Sequence, residues 1–242
     1  IMGLMRLYWI PRDDSPEPGS YVAYPLQDLL GIVALESQRN RCLVVGEDLG
    51  TVPDEVRYAL EPNKILSYRI LCFEKDWHEG SFKAPAEYPR CALCLTGSHD
   101  LPTLSAYWQE LDIDLRARLN LYSSPEVESQ QRLRRAQDRR EILAALIREQ
   151  LVPADASDDA DTPSALGSDL LVSIQRYLAR SNAAVMMVQL EDLFGQRQQI
   201  NLPGTIDEYP NWRSKLPVGL EDWPADSELE SIARAINSER CA

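Results

Sequence analysis

The sequence is poor in histidine and in basic residues. It contains two histidines in 242 residues, and its 38 Asp and Glu residues outnumber its 25 Lys and Arg residues, which gives a net charge of −13. This charge argues against a nucleic-acid partner, because phosphate binding requires a basic surface. It is typical of a protein kept dissolved in a crowded cytoplasm, and we therefore expect a cytoplasmic location.

Long apolar runs are also absent. No stretch approaches the roughly 20 apolar residues that span a bilayer, so we expect no membrane-spanning helix. Ile1–Pro11 is apolar but lacks a basic leader and a small-residue cleavage site, which argues against a signal peptide. The hydrophobic content of 44% is ordinary for a globular chain that buries a substantial core.

Cysteine usage argues against a metal or redox site. Four of the five cysteines lie in three apolar segments, which favours buried free thiols in a reducing compartment. Cys91 and Cys94 form a CxxC pair, but positions i and i+3 of a strand point to opposite faces and cannot bind one metal ion. No second CxxC exists, and the histidines are His78 and His99. We expect no bound metal.

Two apolar segments end in carboxylates. Cys42–Val45 leads to Glu47, and Cys91–Thr96 leads to Asp100. If both segments are strands of one parallel barrel, the two carboxylates meet at its C-terminal mouth, where barrel enzymes have their active sites. A pair of carboxylates suits glycosidic-bond chemistry. The alternative is that both are ordinary turn residues after core strands, and the sequence alone leaves both interpretations open.

Predicted helices and strands alternate along the chain. The spacing predicts a helix near Asp28–Arg39 and another opened by Thr51 as a capping residue. Strands are predicted at 41–45, 67–73, 91–96 and 183–190. This order indicates an α/β fold with a parallel sheet and crossover helices, either half of an eight-stranded barrel or a small open sheet.

A long helical insertion is predicted between the third and fourth strands, at about 103–181. Its main helix, 126–151, has an apolar stripe formed by Leu133, Ala136, Leu143, Ile147 and Leu151. The arginines of this helix alternate with acids, which favours a solvated, salt-bridged face over a phosphate-binding one. The acidic segment 155–161 is predicted to be a mobile surface loop.

The remaining elements complete a three-part organisation. Helices are predicted at 168–180 and 227–236, and the turn-rich segment 201–213 follows the last strand. That segment contributes binding residues above the sheet, packs as a C-terminal wrap with Trp212 as a plug, or does both. The parts are 1–102 with the first three strands, 103–181 as the helical insertion, and 182–242 with the last strand, a substrate loop and a terminal helix.

Four motifs carry a family resemblance. They are Tyr-Trp-Ile-Pro at 8–11, Val-Gly-Glu-Asp-Leu-Gly-Thr-Val-Pro at 45–53, His-Asp-Leu-Pro-Thr at 99–103, and Asn-Leu-Pro-Gly-Thr at 201–205 with Asn-Trp-Arg at 211–213. In order and spacing the chain resembles the C-terminal half of 4-alpha-glucanotransferases, the amylomaltases or disproportionating enzymes of the α-amylase superfamily. The resemblance implies half of a (β/α)8 TIM barrel, with strands five to seven in 1–102. It also implies transfer of α-1,4-glucan segments among maltooligosaccharides, without a metal or organic cofactor.

The resemblance also implies roles for individual residues. Glu47 matches the general acid/base at the end of strand five. Asp100 matches the aspartate after strand seven that favours the distorted, oxocarbenium-like sugar, and His99 matches a sugar-binding residue beside it. Phe73 is a candidate stacking platform for a glucose ring. Asp76 is a weaker candidate for a contact to sugar hydroxyls, and Asn201, in the loop after strand eight, is an additional candidate contact.

One departure from the family pattern concerns the nucleophile. The family's nucleophilic aspartate lies in an Arg-Ile-Asp-His motif, and Ile1-Met2-Gly3-Leu4 looks like the residues that follow it. We therefore expect the chain to be a fragment of a retaining enzyme, inactive alone because the covalent intermediate forms on that aspartate. The alternatives are a non-catalytic α-glucan-binding module and an α-glucan hydrolase of the amylase type.

Overall fold

The structure is a computed structural model that describes residues 1–13, 15–76, 78, 80–159 and 165–240. The chain divides into two compact units. The first unit comprises Ile1–Arg69, Pro89–Leu93 and Ala183–Val185. The second comprises Ile70–Tyr88, Cys94–Asn182 and Met186–Ala242.

The first unit begins with an antiparallel hairpin that the sequence reasoning missed. Strands β1 (Arg6–Trp9) and β2 (Ser20–Ala23) pair with Tyr8 opposite Tyr21. The two tyrosine rings lie 4.9 Å apart, edge to face, and the Arg6 guanidinium lies over the Tyr21 ring. Such cross-strand pairs stabilise two-stranded sheets. The strands are short and mostly exposed, so they lack the apolar alternation that sequence reasoning uses.

Two helices pack the core of the first unit. Helix α1 (Leu26–Asn40) confirms the predicted helix, and α2 (Asp54–Leu60) confirms the second. The predicted cap of α2 is wrong, because Pro53 and not Thr51 precedes the first turn and no side chain caps it. The buried core cluster consists of Leu30, Ala59, Leu60 and Ile65.

The four predicted strands of the parallel sheet are present. They are β3 (Val45–Gly46), β4 (Leu66–Ile70), β7 (Ala92–Leu95) and β8 (Val185–Met186), in the order β3-β4-β7-β8. Strands β3 and β4 are parallel, with Val45 opposite Leu66. All four residues of β7 are buried, as expected for a strand covered on both faces.

All four of these strands are shorter than predicted, β7 by one residue at each end. The apolar run at 41–45 forms ladder bonds only at its end, and the run at 183–190 contributes only β8 because a helix begins at Leu190. Strand β4 ends at Ile70, where a 3-10 helix takes over from Leu71 to Phe73. An apolar run predicts a strand in each case, but it does not determine how many of its residues form hydrogen bonds with a neighbouring strand.

The second unit is mainly helical. Its elements are the hairpin β5 (Lys75–Asp76) and β6 (Ser81–Phe82), and helices α3 (Leu104–Trp108), α4 (Leu111–Arg118), α5 (Pro125–Arg148), α6 (Ser168–Ala179), α7 (Leu190–Leu193) and α8 (Ser227–Arg240). Short 3-10 helices also form at Pro85–Glu87 and Leu220–Ala225. The described core is formed largely by apolar residues of α5 and α6, among them Ile142, Leu146, Ile174 and Leu178. Helix α8 packs on α6, where Glu239 pairs with Arg176 and Arg180.

Helix α5 differs from its predicted amphipathic pattern. Leu133, assigned to the apolar stripe, is 72% exposed, whereas Arg135 and Arg139 are buried. Arg135 forms a two-bond ion pair with Asp112 at 2.8 and 2.9 Å, and Arg139 donates to Glu110 at 2.8 Å. The prediction of salt bridges is therefore confirmed, but that of a wholly solvated face is wrong. Buried charges require such partners.

The acidic segment predicted as a loop is partly helical. A 3-10 helix spans Ala154–Asp159, while positions 160 and 161 of the predicted loop lie outside the described residues. Within the described ranges, no helix combines the length and apolarity needed to cross a membrane.

Candidate active site

Glu47 lies directly after β3 in the first unit. Its carboxylate is exposed, and Oε1 accepts a hydrogen bond from the Leu49 backbone amide at 2.6 Å. Gly50 follows with φ of +83°, a left-handed conformation that other residues adopt only at a cost. The Gly-Glu-Asp-Leu-Gly motif thus forms a tight turn that presents Glu47 at the carboxyl end of the strand.

Asp48 anchors this turn to the sheet. Its side chain is fully buried, and it accepts hydrogen bonds from the Tyr68 amide at 2.7 Å and from the Ser67 hydroxyl at 3.1 Å. Two arginines of the same unit, Arg57 and Arg69, approach it to 3.6 Å. These cations and donors compensate for the loss of hydration that burial imposes on the carboxylate.

The loop Gly97–Thr103, which we call the HD loop, carries His99 and Asp100 in the second unit. Asn201 donates from Nδ2 to Asp100 Oδ1 at 2.6 Å, and His99 Nε2 lies 3.4 Å from Asp100 Oδ2. The backbone amide of Asn201 also donates to the backbone carbonyl of His99 at 3.2 Å. The structure therefore brings together three residues that the sequence reasoning nominated from two distant motifs.

Trp212 lies beside this group and is not a plug. Its side chain is 62% exposed, and its ring centroid is 5.1 Å from that of His99. The segment 201–213 folds back on itself, with the Asn211 carboxamide accepting from the Leu202 amide at 2.8 Å. Of the two interpretations of this segment, the structure excludes the one in which Trp212 is buried as a plug.

A cavity of about 490 Å³ in the second unit is lined by both Phe73 and Asp100. Phe73 is 44% exposed, so part of its side chain is open to a ligand. Gly97 forms part of the wall, and a Cβ at this position would lie 2.7 Å from the Gln189 Oε1 atom. A side chain at this position would therefore require the Gln189 carboxamide to move.

Charged residues also line this cavity. Tyr107 and Lys75 both donate to Asp138, and the Arg135 guanidinium lies 3.6 Å from the centroid of the Tyr107 ring. Burial and the nearby Asp138 charge raise the pKa of Tyr107, so its hydroxyl stays protonated at neutral pH. The cavity combines one apolar face with several hydrogen-bonding groups, as carbohydrate and other polar-ligand sites do.

Asp76 is not part of the His99–Asp100–Asn201 group. It lies on β5, and its Oδ1 accepts from the His78 amide at 2.8 Å. Glu47 belongs to the first unit, so its convergence with Asp100 stays a prediction.

Sequence reasoning missed the structural roles of Asp48 and of Gln199, whose side chain donates to the Asp100 carbonyl at 3.0 Å. The position of Asp48 directly after Glu47 was the available signal.

Within the ranges that the structure describes, no three or more His, Cys, Asp or Glu side chains form a cluster able to hold a metal ion. Cys42, Cys72, Cys91 and Cys94 are free thiols. Cys94 is buried as predicted, but Cys42 is exposed.

In the second unit, Asp100 follows a buried strand of the parallel sheet and lines a cavity that combines polar groups with an aromatic side chain, as ligand-binding sites of α/β enzymes do. The profile of the 4-alpha-glucanotransferase family, glycoside hydrolase family 77, matches residues 1–221. The 4-alpha-glucanotransferase of Haemophilus influenzae is 40% identical over 99% of this chain, and that of Mycobacterium tuberculosis is 38% identical over 98%. The chain belongs to this family.

Solved structures agree with this membership. The crystal structure of amylomaltase from Corynebacterium glutamicum matches with a TM-score of 0.89 at 31% identity over 99% of this chain and 34% of that chain. Amylomaltase from Streptococcus agalactiae in complex with acarbose matches with a TM-score of 0.62 at 15% identity over 97% of this chain and 40% of that chain, a likeness of fold. The predicted fold class, part of a barrel of the amylomaltase type, is confirmed. The chain spans about a third of the length of the curated relatives, 34% of the first and 33% of the second.

Proposed function

We propose that this chain supplies the acid/base and sugar-binding residues of an enzyme that transfers α-1,4-glucan segments between maltooligosaccharides. Family membership supports the reaction class. The observation that carries the assignment to specific residues is the grouping of His99, Asp100 and Asn201, with Phe73 lining the same cavity as Asp100.

In this proposal Glu47 is the general acid/base. It protonates the departing glycosidic oxygen and then deprotonates the hydroxyl of the incoming sugar. The exposed carboxylate at the end of β3, fixed by Leu49 and by the buried Asp48 beside it, suits a group that must reach a substrate from a rigid base.

Asp100 and His99 bind the sugar whose bond is cleaved. Asp100 accepts hydrogen bonds from sugar hydroxyls most strongly when the ring is distorted towards the oxocarbenium-like state. These bonds therefore stabilise the transition state more than the bound substrate. Asn201 orients the Asp100 carboxylate through the 2.6 Å bond and is a further candidate sugar contact.

Phe73 and Asp76 extend the proposed binding surface. The half-exposed Phe73 ring offers a platform for an apolar sugar face, and Asp76 offers a weaker contact to hydroxyl groups. The substrates in this proposal are maltooligosaccharides and α-1,4-glucans. We further propose a cytoplasmic enzyme of glycogen, starch or maltose metabolism.

The proposed mechanism is a retaining double displacement, which requires a nucleophilic carboxylate in addition to the acid/base. We assign that role to no residue of this chain. For this reason the test uses a chimera in which the chain replaces the matching third of the Haemophilus influenzae relative, and the chain alone serves for binding measurements.

The test compares Glu47→Gln with Glu55→Gln, an exposed glutamate on α2 in the same unit. The amide cannot donate the proton, so Glu47→Gln in the chimera is expected to abolish transfer while maltooligosaccharide binding persists. Glu55→Gln is expected to leave transfer unchanged. Full transfer by the Glu47 variant would refute the assignment.

Two alternatives follow from the same residues. If water competes with the acceptor sugar, the enzyme is an α-glucan hydrolase, and only shortened products form. If the residues hold sugar without chemistry, the chain is a glucan-binding module, and the chimera binds but turns nothing over. The residues that line the cavity are compatible with a hydrolase or with a binding module, and the products formed by the chimera distinguish the two.

A further inference from the structure

Asp192 is a buried carboxylate to which neither the sequence reasoning nor the proposed mechanism gives a role. It lies on α7, after β8, and is 2% exposed. Its Oδ2 accepts from the Thr96 hydroxyl at 2.6 Å, and its Oδ1 accepts from the Leu104 backbone amide at 2.6 Å.

These two partners flank the HD loop. Thr96 is the residue immediately before Gly97–Thr103, and Leu104 is the residue immediately after it. One carboxylate therefore joins both ends of the seven-residue loop that carries His99 and Asp100. It also accepts from the first amide of α3, which has no acceptor within its own helix.

The chain after Asp192 continues along the same loop. The Gln196 carbonyl accepts from the Thr103 hydroxyl at 2.6 Å, and Gln199 donates to the Asp100 carbonyl at 3.0 Å. Asn201 then reaches the Asp100 carboxylate. Asp192 is the buried end of this series of contacts, so its loss would release the base of the HD loop while the contacts nearer to Asp100 remain.

The geometry points to Asp192 as the positioning residue of the candidate active site, which fixes His99 and Asp100 by closing the HD loop at its base. This inference rests on the proposed function, because it concerns the placement of residues to which that function gives roles. A loop displaced by about 1 Å can cost on the order of 100-fold in rate, so such a residue acts on turnover without touching substrate.

The first test measures backbone hydrogen exchange of peptides spanning 96–104 in the 242-residue chain. Asp192→Ala leaves the Thr96 hydroxyl and the Leu104 amide without their acceptor, and the loop amides are expected to exchange at least about tenfold faster. Asp192→Asn can accept from Leu104 and donate to Thr96, so exchange is expected to match the unchanged chain. Equal exchange in all three proteins would overturn the inference.

The control is Ser173→Ala, which removes a buried hydroxyl that donates to the Leu151 and Asp169 carbonyls in the same unit. It is expected to change exchange near Ser173 but not in the HD loop. If both Asp192→Ala and Ser173→Ala accelerate exchange in the HD loop equally, Asp192 has only a general structural role and the inference fails.

The second test uses kinetics of the chimera with maltotriose, at temperatures where circular dichroism shows each variant folded. Asp192→Ala is expected to lower kcat about 100-fold with KM changed less than about threefold, the signature of a lost transition-state interaction. Thr96→Val, which removes one of the two bonds, is expected to lower kcat about tenfold. Asp192→Asn is expected to restore kcat to within about threefold, and failure of this rescue would contradict a role through the two bonds.

Asp100→Asn separates this inference from the proposed function. If Asp100→Asn keeps full transfer, the proposed role of Asp100 is wrong. If Asp100→Asn is inactive while Asp192→Ala retains the kcat and KM of the parent chimera, the proposed function stands and the positioning inference is wrong.

Discussion

The Asn201 carboxamide donates to the Asp100 carboxylate at 2.6 Å, although 101 positions separate the two residues in the sequence. The bond joins the loop after β7 to the segment after α7. It occupies one carboxylate oxygen of Asp100 and directs the other towards His99, 3.4 Å away. In the proposed function, Asn201 therefore sets the orientation in which Asp100 meets a sugar.

Asn201→Ala in the chimera is expected to lower kcat for maltotriose transfer about tenfold, because one hydrogen bond to a charged group is lost. Asn201→Asp is expected to lower it further, because a second carboxylate against Asp100 repels it. Asn182→Ala, which also loses a single carboxamide hydrogen bond, serves as the control and should leave kcat unchanged. Equal rates for the Asn201 and Asn182 variants would show that the bond has no role in turnover.

Asp48 is expected to stabilise the first unit. Asp48→Ala leaves the Ser67 hydroxyl and the Tyr68 amide without their buried acceptor, and the free energy of unfolding should fall by about 3 kcal/mol in urea titrations. Asp54→Ala is the matched control, since Asp54 is 74% exposed and also pairs with Arg57. Its effect should stay within about 0.5 kcal/mol. Similar losses for both variants would contradict this account.

Stability should depend on pH through Asp192. Burial raises the pKa of this carboxyl from 3.8 to about 6, against the lowering effect of the Thr96 and Leu104 hydrogen bonds. Because the folded-state pKa lies above the unfolded one, the folded chain binds the proton more tightly. The resulting stabilisation is fully present below about pH 4 and is lost as the pH rises through 6.

The measurement compares urea unfolding of the chain and its Asp192→Asn variant at several values from pH 4 to 8. The variant lacks the titration but keeps both hydrogen bonds, so its stability relative to the chain should rise by about 3 kcal/mol across this range. Parallel pH profiles for the two proteins would show that Asp192 titrates as an ordinary aspartate.

Thiol reactivity should follow burial. Cys42 is exposed, whereas Cys94 is fully buried and burial with the nearby Asp138 charge raises the pKa of Cys72 to about 12. Iodoacetamide at pH 8 is expected to alkylate Cys42 in the folded chain, with Cys72 and Cys94 modified only in urea, as followed by peptide mass spectrometry. Rapid alkylation of Cys94 in the folded chain would contradict the placement of β7.

The sequence was sufficient for the elements that combine periodicity with burial. Helix α6 and strand β7 lie within a residue or two of their predicted bounds because each buries an apolar pattern. Helix α1 also lies within two residues of its predicted bounds, although Leu30 is its one buried residue. The sequence was insufficient where hydrogen bonds between strands or ion pairs determine the structure. Leu133 is exposed on α5 while Arg139 is buried, since Glu110, immediately before α4, supplies a partner that no local pattern reveals.

The sequence likewise predicted some residues of the candidate site and not others. Asp100 and Asn201 were found from separate motifs, and the structure joins them. The supporting carboxylates Asp48 and Asp192 were not found, because their roles depend on donors that are 19 or more positions away in the sequence and carry no motif.

The products that the chimera forms from maltotriose test most directly whether this chain contributes to the active site of a transferase. Transfer predicts glucose together with a ladder of longer maltooligosaccharides, and the Glu47→Gln chimera should form neither. Glucose and maltose alone, without any product longer than maltotriose, would contradict the account and assign the chain to a hydrolase.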